Sequence, residues 1–251
     1  MRLYEWITVV FYATFGVLGW IRALPARRRT LVTTVALAGI GGILELRSTL
    51  LRDWLPLGFI PLAYFQTGQF VLPLHERFQS KLESLDKRWI VSLRGPIMFV
   101  FELAYLFCYP LVPCGLIALY LSGMGLFAEE FWNVVLPPAY LCYATFPFIR
   151  TLPQRAIEDR VPWQPQRTGM RKVNLFVLRH VSTQANTFPS GHVAASLAVA
   201  LELLKHAPPV GLAFLVVSVC IAAGAFFGRY HYGVDVLLGA ALAIVSFFAF
   251  V

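Results

Sequence analysis

Two short stretches in the last quarter of this 251-residue chain carry residue types that can move a phosphoryl group. The first is Phe188-Pro189-Ser190-Gly191-His192, followed at once by an apolar run. Pro189 and Ser190 predict a helix start, with Ser190 as its N-cap. The free backbone N–H groups of such a start, helped by the helix dipole, form an anion site. Gly191 would let an oxygen-rich ligand approach the backbone closely, and His192 falls in the first turn. The plainer account of this stretch alone is an ordinary helix start with an interfacial histidine. The second stretch is Gly228-Arg229-Tyr230-His231-Tyr232-Gly233-Val234-Asp235. His231 and Asp235 are spaced i, i+4, which on a helix is one face. A carboxylate there can accept the imidazole Nδ1–H, fix the tautomer and leave Nε2 free as a nucleophile. Arg229 adds a planar cation suited to phosphate oxygens. The plainer account here is an arginine at the membrane edge beside a satisfied His–Asp pair.

The elements between the two stretches bring them together. Residues 192–207 and 210–228 read as two apolar helices, broken at Pro208-Pro209 after Lys205 and His206. Such a hairpin returns the chain to the face it left. Two histidines, an arginine, a carboxylate and a helix N-terminus then converge. Those parts suit phosphoryl transfer through a phosphohistidine, with one imidazole attacking and the other acting as acid.

The rest of the chain predicts a membrane as the setting. Of its residues 58% are hydrophobic and 14% charged, against roughly 25% charged in a soluble domain. Apolar runs at about 6–21, 31–51, 54–74, 96–121, 128–149, 192–228 (two helices) and 233–251 approach the roughly 20 residues a spanning helix needs; Glu45, Arg47, Arg52 and Asp53 crowd the junction of 31–51 and 54–74, so that pair reads as full spans, short spans or a re-entrant hairpin. The expected fold class is all-α: a polytopic transmembrane helix bundle of six to eight spans. Residues 1–127 supply N-terminal helices and a basic loop, and 128–251 hold both chemistry-bearing stretches. Trp6, Trp20, Trp54, Trp132 and Tyr140 are expected as interface anchors. Arg22, Arg27, Arg28 and Arg29 after the first apolar stretch predict an anchor rather than a cleaved leader. Cys108, Cys114, Cys142 and Cys220 lie in apolar runs without paired spacing, so a zinc site is not expected.

With eight helices, residues 22–30, 75–95, 150–191 and 229–232 share one face. That face collects seventeen of the twenty-one Lys and Arg behind the net charge of +8. The positive-inside rule places it, and the active site, in the cytoplasm, here of a bacterial inner membrane. A basic membrane face suits anionic headgroups, so the expected partners are a phosphorylated lipid substrate and membrane lipids. No soluble basic surface calls for nucleic acid. Arg167, Arg171, Lys172 and Arg179 read as solvated loop charges, with headgroup binding the alternative. Glu102, within a span, reads as functional by default or as an ion pair with Arg94. Gln66 and Gln69 are candidates for bonds between helices.

The two stretches also resemble the type 2 phosphatidic acid phosphatase superfamily, which includes vanadium haloperoxidases. Its P-S-G-H motif is matched by Pro189, Ser190, Gly191 and His192, and the H-x-x-x-D half of its third motif by His231 and Asp235. The third motif's S-R departs: Arg229 stands two residues before the histidine, and Gly228 replaces the serine. The first motif, K-x6-R-P, is degenerate between Arg150-Thr151-Leu152-Pro153-Gln154-Arg155 and Arg160-Val161-Pro162, as in the inositol phosphorylceramide synthase-like branch. The resemblance implies His231 as nucleophile, Asp235 as its orienter and His192 as proton donor to the leaving oxygen. It implies a phosphate held by Arg155, Arg160, Arg229, Ser190 and Gly191, with no metal and no cofactor. It covers about residues 128–251 and implies that they form a phosphatase-type catalytic core, acting on a lipid phosphate or diphosphate. The alternatives are a transferase moving a phospho-headgroup to a lipid or polyol hydroxyl, and a non-enzymatic binding protein. The last is disfavoured because both histidines are present.

Overall fold

The computed structural model describes residues 1–45, 48–70, 72–87, 89, 93–157, 168–183 and 185–251. Among them lie eleven α-helices and no strand; one isolated bridge joins Thr151 and Asn186. In chain order they are α1 (Leu3–Ile21), α2 (Ala26–Leu44), α3 (Thr49–Trp54), α4 (Pro56–Thr67), α5 (Glu76–Asp86) and α6 (Pro96–Leu121). Then come α7 (Ala128–Ala144), α8 (Gly169–Val181), α9 (Gly191–His206), α10 (Pro208–Phe227) and α11 (Gly233–Phe250). The chain is all-α. Among the described residues, four helices, α1, α6, α10 and α11, are long and apolar enough to cross a membrane.

α9 is the axis of the bundle. It packs against α10, α7, α11 and α6. Its alanines 194, 195, 198 and 200 are all buried, and small residues let helix backbones approach closely inside a membrane. Two glycines set the closest approaches. A Cβ on Gly224 of α10 would collide with the Phe101 carbonyl of α6. One on Gly239 of α11 would lie 2.6 Å from the Ser190 carbonyl oxygen. The helix break falls at Ala207, where the prolines predict it.

The structure decides three expectations. The run 54–74 takes the short form among its alternatives, since α4 covers 12 residues, about 18 Å, and ends at Thr67. Its Gln66 is buried and donates to the carbonyls of Tyr12 and Val32 on α1 and α2. Gln69 bonds to the Phe65 carbonyl, four residues back on α4. Trp132 and Tyr140 are core residues of the enclosed helix α7, not interface anchors; Trp132 donates to the Asp53 carbonyl at 2.7 Å. The two polar loops contain helices, α5 and α8. In α8 Arg171, Asn174 and Leu178 face inward, while Val173, Phe176 and Val181 are exposed. A helix with polar groups inside and apolar groups outside suits a lipid boundary, and its charged sequence hides that arrangement.

Two opposite ends are defined by side chains. Arg2 pairs with Asp53 at 2.5 Å, and Tyr120 donates to the same carboxylate at 2.7 Å. Lys205 meets Glu130 at that end as well. Both histidine motifs lie at the other end.

Candidate active site

The P-S-G-H stretch caps α9 as expected. The Ser190 hydroxyl accepts from the Val193 N–H at 3.5 Å, and the Ser190 N–H donates to the Asp235 carbonyl at 3.0 Å. Ser190 is fully buried, so its hydroxyl holds the helix start. His192 follows in the first turn, with its ring 5.6 Å from that of Tyr105 and 5.4 Å from that of Tyr109, both on α6.

His231 and Asp235 meet, though not along one helix face. α11 begins at Gly233 with Tyr232 as N-cap, so His231 stands outside the helix. Asp235 reaches back to it as a capping carboxylate. Asp235 Oδ2 accepts from the Tyr232 N–H at 3.2 Å and from Asn186 Nδ2 at 2.7 Å, and lies 3.4 Å from His231 Nδ1. The imidazole therefore presents Nε2 away from the carboxylate. The His192 and His231 ring centroids are 6.0 Å apart. Burial, and the Arg155 guanidinium nearby, lower the His231 pKa to about 3, which keeps the imidazole neutral.

The loop that carries His231 is held by groups outside both motifs. Arg229 sits at φ 62°, a left-handed conformation uncommon for a side-chain-bearing residue. Tyr230 stacks on Tyr105 at 3.9 Å and donates to Glu102 at 2.5 Å. Glu102 pairs with Arg171 at 3.1 Å and accepts from Asn174, and Arg171 also donates to the Gly228 carbonyl at 2.6 Å. Arg171 is thus a buried partner of Glu102, not a solvated loop charge and in place of Arg94. A charge taken out of water persists when paired and hydrogen-bonded.

The phosphate-binding candidates separate. Arg155, His192, His231 and Gly191 line one cavity. The Arg155 guanidinium lies 3.4 Å from Ser182 Oγ. Arg229 is buried and donates to Gln154 Oε1 at 2.9 Å, beside Asp86; it is not among the cavity-lining residues. Arg150 donates to the Leu72 carbonyl. Arg160 lies outside the described residues. Asp86 was not foreseen. It accepts from the Gly233 N–H at 3.0 Å and from Gln154, bracing the start of α11. Burial pushes its carboxyl up to about 6. Gln79, on the same helix α5, bonds the Tyr232 hydroxyl at 2.5 Å.

The cavity has a volume of about 1160 Å³ and runs from these polar groups between α4, α6, α8 and α10, with mostly apolar walls. The model for the PAP2 superfamily matches residues 73–249. The chain belongs to that superfamily. A PA-phosphatase related-family protein of Dictyostelium discoideum is 41% identical over 61 residues, 24% of this chain and 11% of that protein. The chain thus matches about a tenth of the length of that relative. No solved structure matches it. PAP2 membership points to phosphatase-type chemistry on a phosphorylated substrate and fits the membrane setting of the apolar helices. The match begins at residue 73 and so includes α5 and α6, whose Asp86, Gln79, Glu102 and Tyr105 brace the motif loops.

Among the described residues, one group of three potential metal ligands occurs. Glu130, Glu202 and His206 bring ligand atoms within 4.8 Å of one another. It sits at the far end of α9 from the histidine motifs, where Lys205 also meets Glu130. That position cannot serve a phosphoryl group held at His231.

Proposed function

We propose that the chain is a membrane-embedded phosphatase that removes phosphate from a lipid phosphate or diphosphate through a phosphohistidine. The observation that carries this reading is the pair His231–His192 at the head of an apolar cavity. The neutral His231 Nε2 attacks phosphorus as the bond to the lipid oxygen breaks. His192, protonated once the phosphate dianion sits beside it, gives that oxygen its proton. Water then attacks the phosphohistidine, His192 takes the water's proton, and phosphate leaves. Asp235 holds the Nδ1–H and offsets the positive charge that forms on the ring. Arg155 and the N–H groups at the start of α9 receive the phosphate oxygens. The core 128–251 works with α5 and α6 from the preceding part. We place the basic end, with the active site, on the cytoplasmic side.

The test is rapid quenching with a radiolabelled lipid phosphate in EDTA, followed by mapping of acid-labile label. Label on His231, lost in His231→Ala together with turnover, is the expected result. A His231→Ala protein with normal turnover would refute the mechanism.

A further inference from the structure

We infer that α4, which precedes the family-matched segment, is the wall that selects the hydrocarbon chain of the substrate. The inference rests on the lipid reading above. α4 has two faces. Phe59, Ala63, Gln66 and Thr67 are buried, and the helix packs on α2, α7 and α1. Leu57, Ile60, Pro61 and Tyr64 line the cavity. That spacing of i, i+3, i+4 and i+7 is one helical stripe, so the wall is a designed face and not a chance edge.

The stripe has a polar head and an apolar foot. At the head, the Tyr64 hydroxyl accepts from the Thr183 N–H at 2.8 Å. It also touches Ser182, the hydroxyl beside the Arg155 guanidinium. The head therefore lies level with the anion-binding end. At the foot, the preceding residue Asp53 joins Arg2 and Tyr120 at the opposite end of the bundle. Leu57 is thus deeper than Ile60, and Ile60 deeper than Tyr64, over a total rise of about 10 Å. Across the cavity stands α6, with Leu106, Pro110 and Pro113 on the lining. A chain whose phosphate sits at His231 descends between these walls and meets Tyr64, then Ile60, then Leu57. The same cavity contains His192, His231 and Arg155, so one molecule occupies both regions.

The experiment measures kcat/KM for lysophosphatidic acids of graded chain length, in matched mixed micelles, for the wild type, Ile60→Trp and Leu57→Trp. Ile60→Trp is expected to lower the long-chain to short-chain ratio by about tenfold or more, in the range a filled apolar pocket discriminates. Leu57→Trp is expected to act only on the longest chains. Because a tryptophan strains its surroundings, Ile60→Ala and Leu57→Ala are measured beside them, and these are expected to raise the ratio for the longest chains. A chain-length profile unmoved in all four variants, with lipids still turned over, overturns this inference and leaves the proposed function standing. Wild-type protein that hydrolyses a water-soluble phosphate but none of the lipids overturns both.

Discussion

Asp235→Asn tests the site most sharply, because it removes a charge while keeping most of the geometry. Asp235 Oδ2 is placed by Asn186 Nδ2 at 2.7 Å and the Tyr232 N–H at 3.2 Å. Both are donors, so they hold an amide oxygen in the Oδ2 position and keep the amide nitrogen away from His231. The tautomer of His231 is therefore preserved. The lost quantity is the interaction of the carboxylate charge with the imidazolium that forms on attack. At 3.4 Å and an effective dielectric of about 20, that is about 5 kcal/mol, or somewhat over three orders of magnitude in rate. The amide nitrogen would replace Asp235 Oδ1, a buried atom with no hydrogen-bond partner among the described residues. Folding stability should then fall by about 1–3 kcal/mol. Turnover of phosphatidic acid in detergent micelles, with thermal unfolding of the same preparation, separates the two effects. The expected result is kcat down by several thousandfold, as the ~5 kcal/mol implies, with KM nearly unchanged. A variant within about tenfold of wild type would show that Asp235 is only a helix cap.

Four further outcomes are expected. Arg155→Ala should raise KM and lower kcat for a lipid phosphate, whereas Arg150→Ala, whose guanidinium holds the Leu72 carbonyl, should leave kcat within about threefold, a gap of under 1 kcal/mol; equal losses would remove Arg155 from the phosphate site. Arg171→Ala leaves Glu102 buried without its charge partner and should cost about 3–5 kcal/mol of stability, read as a lowered denaturant midpoint; a loss under about 1 kcal/mol contradicts the buried pair. Asp86 carries a folded pKa raised to about 6, above the ordinary value of about 3.9. The folded chain then binds more protons than the unfolded chain between those values, so this group's contribution to stability falls as pH rises from about 4 to 6; the wild-type advantage over Asp86→Asn should shrink across that window, and a constant difference would refute the argument. Single cysteines at Ser84 and Leu126, in a background without the four native ones, should show Leu126 labelled and Ser84 protected from an impermeant thiol reagent in intact cells; the reverse pattern places the active site outside.

The parts of the site that were legible in the sequence are those built from short-range spacing. Ser190 caps α9, His192 follows in its first turn, and His231 contacts Asp235, all within five residues of their partners. The break at Pro208-Pro209 was legible for the same reason, since proline acts locally. What spacing could not show are partners brought from far along the chain. Asn186 to Asp235 spans a hairpin, and Asp86 to Gly233 joins residues 147 apart. Arg171 illustrates the difficulty: in a stretch rich in Arg and Lys, nothing local distinguishes the one arginine that a distant Glu102 draws inside. Trp132 misled in the opposite direction, because an aromatic near a span end looks like an anchor until another helix covers it.

The contact between Gly239 and the Ser190 carbonyl has a consequence for how this site tolerates change. The first turn of α9 carries one imidazole, and the start of α11 carries the carboxylate that steers the other. Backbone meets backbone at their crossing, so no side chain serves as a spacer there. The distance from the proton donor to the carboxylate that steers the nucleophile is thus set where two main chains touch. A single methyl group at position 239 would act as a shim and part the helices that carry the two halves of the reaction centre.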